Sequence, residues 1–156
     1  MVQEQQLHHR LTLMNNPTLT DKTLQRGETT REVIGAFYKV YDTLGFGFVE
    51  SVYQRALHHE LKKRGLQAEC ETGVDVWYDD VRVGQFRADM IVERSVIIEI
   101  KAAHAFVDAD WKQLLNYLHA TELEVGLLFN FGPKAAFKRL IYTNDRKTNC
   151  QGSSCP

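Results

Sequence analysis

The run Ser95-Val96-Ile97-Ile98-Glu99-Ile100-Lys101 decides how the rest of the chain is read. Val96, Ile98 and Ile100 are spaced by two, so they share one face of a strand and leave Ile97, Glu99 and Lys101 on the other. An acid and an amine on so apolar a strand cost free energy unless they are paired or bind an ion. Ten residues upstream of Glu99, Phe86-Arg87-Ala88-Asp89-Met90-Ile91-Val92 carries a second acid. An Asp, then a Glu two residues before a Lys, on neighbouring hydrophobic strands, is the set of groups that a hard-metal phosphodiester site requires.

Outward from these two runs, the Glu93-Arg94 connection is short enough for a hairpin. Upstream, Val74, Val76 and Tyr78 alternate as a strand, and Asp79-Asp80 reads as a turn into a strand from Val81 to Val92. Before them lie two helical stretches. Val33, Ile34, Phe37, Val40, Tyr41 and Leu44 form one stripe from Thr30, closed by Gly45-Phe46-Gly47. Val49, Val52, Tyr53, Ala56, Leu57 and Leu61 form the inward side of a second helix, Val49 to Arg64, stopped by Gly65. Downstream, Trp111, Leu114, Leu115 and Leu118 mark a helix from about Asp108 to Ala120. Strands are expected at Glu124 to Asn130 and Phe137 to Tyr142. The order αα-βββ-α-β(β) predicts a mixed α/β (α+β) fold, a central mixed sheet covered by helices. Residues 1–28 are expected to be a flexible polar leader, 29–143 the folded domain and 144–156 a flexible tail.

A chain of 156 residues allows one domain with one core. A formal net charge of −1 gives no global support for charge-driven binding of nucleic acid, so any polyanion contact must come from a local patch. No apolar signal-like segment or membrane-length span is present, and a cytoplasmic location without membrane contact is expected. Cys70, Cys150 and Cys155 lack zinc-ligand spacing and read as ordinary thiols of a reducing compartment.

If the hairpin sets Asp89 beside Glu99, the two carboxylates repel unless a divalent cation takes oxygens from both. Magnesium suits such a pair, because it keeps several waters and leaves room for a phosphate. Lys101 follows Glu99 by about 7 Å of strand and can reach a metal-bound water or a phosphate oxygen. Simple ion pairs, Glu99 with Lys101 or Asp89 with Arg87, fit the spacing as well. Glu50 reads either as a further carboxylate aimed at the same metal or as an acid favoured in the first turn of its helix. Gln113 and Tyr117, four apart on one helix, can contact a phosphate, orient the lysine, or form a polar flank. Of the histidines only His104 is a candidate neighbour of the site.

Gly47-x-x-Glu50-x-x-Tyr53 resembles the signature of the GxxExxY proteins, small prokaryotic members of the PD-(D/E)XK nuclease superfamily. The similarity extends through Leu44-Gly45, Arg87-Ala88-Asp89, Ile98-Glu99-Ile100-Lys101, Gln113-Leu114-Leu115-Asn116-Tyr117-Leu118 and Asn130-Phe131-Gly132, roughly residues 30–143. It departs at Phe46, where proline is expected in the Leu-Gly-x-Gly turn. The resemblance implies a restriction-endonuclease-like core and a Mg2+- or Mn2+-dependent nuclease acting on nucleic acid, DNA above all. By that resemblance Asp89, Glu99, the Ile100 carbonyl and Glu50 would face the metal. Lys101 would help activate water, and Gln113 and Tyr117 would stand in the helix close to the active site. The alternative is a catalytically silent module of the same fold that binds nucleic acid or a protein. A homodimer through faces bearing Tyr38 and Tyr41 is compatible with either.

Overall fold

The computed structural model describes residues 17–147, with side chains from residue 26 onward. Two helices come first, α1 (Pro17–Leu44) and α2 (Glu50–Lys63). Three strands follow, β1 (Ala68–Tyr78), β2 (Val81–Val92) and β3 (Val96–Lys101). Helix α3 (Asp108–Ala120) crosses to β4 (Val125–Phe131), β5 (Ala135–Ile141) and a short 3-10 turn, Asn144–Arg146. The five-stranded sheet runs β1-β2-β3-β4-β5; β3 and β4 are parallel and every other pair is antiparallel.

Both faces of the sheet are covered, which is why β3 and β4 are nearly continuous apolar runs. Val96, Ile98 and Ile100 join Leu127, Phe129 and Phe131 under α1 and α2, against Val33, Phe37, Tyr53 and Leu57. Phe37 stacks on Phe129 with ring centroids 4.4 Å apart, and Tyr53 on Phe131 at 4.2 Å. On the opposite face, Ile97 and Leu128 lie beneath Leu114, Tyr117 and Leu118 of α3. Gly126 lets this helix come close, because a Cβ there would stand 2.9 Å from the Leu114 side chain.

Helix α1 is tied to both ends of β4. Arg26 pairs with Glu124 just before the strand. Tyr41 donates its hydroxyl to the carbonyls of Gly132 and Pro133 just after it, each at 3.0 Å. Tyr41, expected on a dimer face, thus turns to its own chain, while Tyr38 stays 40% exposed.

The elements depart from the spacing in a few places. Helix α1 starts at Pro17 rather than Thr30, so residues 17–28 of the expected leader are helical. The early turns lack an apolar stripe, and a proline is well placed in a first turn, where its missing N–H costs nothing. Val49 caps α2 and is 67% exposed instead of facing inward. Strand β1 begins at Ala68, six residues before Val74, because Glu69, Cys70 and Glu71 are exposed and show no alternation. Ser95 belongs to the turn, and its N–H donates to the Val92 carbonyl. Residues 1–16 and 148–156, with Cys150 and Cys155, lie outside the described residues. Among the described residues no helix is long and apolar enough to cross a membrane.

Candidate active site

The regular pairing of β2 with β3 stops at Met90 opposite Ile98, and the next residues are Asp89 and Glu99. The alternation of β2 slips at the same point: Ala88 lies in the core under α3, whereas Met90 lies in the core under α1 and α2. Asp89 therefore does not simply share a face with Val83, Gln85, Arg87 and Ile91 as strict alternation predicts. Side chains take over from the ladder. The Asp89 carboxylate accepts the Ile100 N–H at 2.7 Å, and the Glu99 carboxylate accepts the Asp89 N–H at 3.4 Å. From Arg87 toward its start, β2 continues with β1 as a two-stranded arm that leaves the sheet.

Glu99 is 2% exposed, the most deeply buried acid of the core. Burial, and then the charge of Asp89, push its carboxyl up to about 8, against the opposing pull of Lys101. Burial also raises Asp89; the Ile100 N–H and Lys101 oppose this, and the charge of Glu50 adds to it. The two carboxyl groups are within hydrogen-bonding reach of one another, an arrangement that one shared proton stabilises. Without a cation, both acids cannot be ionised cheaply. Hard oxygen donors in this state fit a divalent metal such as magnesium or manganese. Among the described residues no group of three or more His, Cys, Asp or Glu forms a ready-made metal cage, so the two acids would need main-chain or water oxygens to complete a coordination shell.

The other expected residues gather around this pair to different degrees. Glu50 opens α2, and its carboxylate accepts the Ala102 N–H at 3.3 Å, which fixes the helix start to the end of β3. Lys101 extends toward Asp110 in the first turn of α3, with Nζ 4.0 Å from Oδ1. Tyr117 is buried, and its hydroxyl contacts the Arg87 carbonyl at 3.4 Å. Burial lifts the pKa of that hydroxyl and the nearby charges of Glu99 and Asp89 add to the effect, while Gln113 opposes it. The Gln113 amide donates to the Tyr117 hydroxyl at 2.7 Å, so among the described residues its side chain reaches the site through Tyr117. His104 stands exposed on the loop after β3.

Three contributors escape the spacing. Gln54 donates to the Asp89 carbonyl at 2.8 Å, one helical turn beyond Glu50. Asp110 faces Lys101. Asn130, 2% exposed, clamps the peptide of Ala103 from both sides: it accepts from its N–H and donates to its carbonyl, each at 2.9 Å. A polar residue in the apolar run Val125–Phe131 is the same signal that singles out Glu99.

The crystal structure of SSO0001 is similar in fold. It matches with a TM-score of 0.50 and 23% sequence identity, over 64% of this chain and 53% of that one. The chain therefore spans about half the length of that protein. No curated protein matches this sequence closely enough to count as a relative. A profile of the PD-(D/E)XK nuclease superfamily covers residues 27–140, which include the paired acids and the lysine. With this match over most of its length, the chain belongs to the PD-(D/E)XK nuclease superfamily.

Proposed function

We propose that the protein is a nuclease of the cytoplasm that hydrolyses phosphodiester bonds of nucleic acid, DNA in the first instance, and depends on Mg2+ or Mn2+. The observation that carries this reading is the meeting of a buried Glu99 and a half-buried Asp89 beside a lysine at a break in the sheet. Membership of the GxxExxY group within the superfamily is part of the proposal. Its support is that Gly47 turns the chain at φ 111°, Glu50 reaches the end of β3, and the Tyr53 hydroxyl holds the loop between them.

Asp89, Glu99 and the Ile100 carbonyl would hold the ion, with Glu50, whose charge acts on Asp89, taking part through a water. When bound, the cation would supply polarisation of the phosphate and a water of lowered pKa. Glu99, whose carboxyl burial raises to about 8, would release its proton as the ion binds. Lys101, held by Asp110 at the edge of the site, would point its ammonium at the attacking water or a phosphate oxygen. Tyr117, backed by Gln113, would present a hydroxyl to the substrate.

The silent-module alternative draws on one observation: Lys101 already has an anionic partner in Asp110. Cleavage of single- and double-stranded DNA and RNA with Mg2+ or Mn2+ separates the two readings. Glu99→Ala and Lys101→Ala are each expected to lower the rate by roughly a hundredfold or more. Activity equal to that of the unaltered protein in both variants removes the assignment. Tight binding without any metal-dependent cleavage establishes the silent module.

A further inference from the structure

We propose that the loop joining α1 to α2 is a stacking platform for single-stranded nucleic acid entering the Asp89–Glu99 site. The inference rests on the nuclease reading and adds the strandedness of the substrate. Phe46 and Phe48 are 60% and 49% exposed, and Val49 follows at 67%. Single apolar side chains in water need no explanation, but a contiguous group marks a binding surface.

The loop is held in place. The Gly45 N–H donates to the Tyr41 carbonyl at 2.7 Å. The Tyr53 hydroxyl donates to the Gly45 carbonyl at 2.8 Å and accepts the Phe48 N–H at 3.2 Å. The Phe48 ring stands edge-on to Tyr53, 6.1 Å away. Gly45 and Gly47 take φ values of 68° and 111°, which a side chain would resist. Folding has thus already ordered the backbone of this loop and the Phe48 ring, so a ligand stacking there loses less entropy.

Position follows from the next residues. Glu50, directly after Val49, accepts the N–H of Ala102 beside Lys101. Gln54 reaches Asp89 one turn later. The loop therefore leads directly into the helix start that contacts Ala102 and Asp89. Lys134, exposed, follows Pro133, whose carbonyl accepts the hydroxyl of Tyr41, four residues before the loop begins.

The chemistry selects the occupant. In a duplex the base faces are stacked on each other, and binding is led by basic groups neutralising phosphates. This chain has a net charge of −1, and Glu50, Asp89, Glu99 and Asp110 surround the site. A single strand offers free base faces, on which exposed aromatic rings stack whatever the base. Bases on Phe46 and Phe48, with a phosphate near Lys134, would lead the strand to the acids.

The test compares binding of a fluorescent oligothymidine of about twenty nucleotides with a duplex of equal length, by anisotropy with chelator present and the full chain. The single strand is expected to bind at least about tenfold more tightly. Phe46→Ala with Phe48→Ala should weaken it roughly ten- to a hundredfold, and Phe46→Trp with Phe48→Trp should preserve it. Circular dichroism checks that both variants fold. Duplex binding as tight as single-strand binding, an unaffected double-alanine variant, or no binding of either probe overturns the platform. Stabilisation by Mn2+, read from thermal unfolding, should be the same in the double-alanine variant. If Mn2+ stabilises and cleavage occurs without a single-strand preference, only the platform falls. If Mn2+ neither stabilises nor supports cleavage, the nuclease reading falls with it.

Discussion

Glu99 shows how one residue can be visible in the sequence while its state is not. A charge between Ile98 and Ile100 stands out, as does Lys101, because neither belongs on an apolar strand. Asp110 and Gln54 do not stand out, since polar groups on helices are ordinary and only the tertiary contacts give them a partner. The protonation of Glu99 belongs to the folded state alone. Its carboxyl is raised from 4.5 to about 8, so between those values the native protein keeps a proton that the unfolded chain has released. The linked stabilisation is complete below about 4.5 and is lost as pH climbs toward 8. The metal-free protein should therefore unfold at progressively lower temperature across that range. The gain from Mn2+ should grow in the same direction, since the ion competes with the proton. Thermal melts in chelator and in Mn2+ at several pH values check this, and a flat profile in chelator contradicts it. Glu99→Gln, which removes the charge, should stabilise the metal-free protein at alkaline pH while abolishing the gain from Mn2+.

At the scale of elements, periodicity located the helices and strands wherever one side faced the core. Helix α1 from Thr30, α2, β2, β3, α3 and β4 all carry such patterns. The first turns of α1 and the start of β1 do not, because both of their sides are polar and neighbours rather than hydrophobic pattern hold them in place. The loop after β3 is likewise invisible to periodicity, yet it is tightly determined. Asn130 holds the Ala103 peptide, and a Cβ on Gly132 would stand 2.0 Å from the Ala103 carbonyl oxygen. Asn130→Ala removes both hydrogen bonds to the Ala103 peptide from a side chain that is itself buried, and should cost about 1–3 kcal/mol. Gly132→Ala forces the backbone apart and should cost about as much, 1–3 kcal/mol or more. Both act on one peptide, so denaturant titration of the double variant should show less than the sum of the two. Strict additivity would mean that the two residues do not share this contact.

For the whole molecule, composition and charge set the limits and the fold decides what is done within them. The chain balances 19 Lys and Arg with 20 Asp and Glu, and Arg26, Arg64 and Arg87 are already paired with Glu124, Glu60 and Glu71. Nucleic-acid affinity should therefore fall only shallowly with salt, with a log–log slope of magnitude about 3 or less, compared with about 10 for a protein that neutralises many phosphates. Anisotropy titrations over a range of potassium chloride measure it, and a steep slope would reveal a basic surface not anticipated from the charge pattern. The attachment of α1 to β4 has a mechanical meaning. From Arg26 to Tyr41 the helix rises about 22 Å, nearly the run of the strand it spans, so it works as a strut bolted at both ends. A chain shortened to begin at Thr29 would keep every residue of the paired-acid site and still lose one bolt, leaving the Gly132-Pro133 corner hanging from a cantilever.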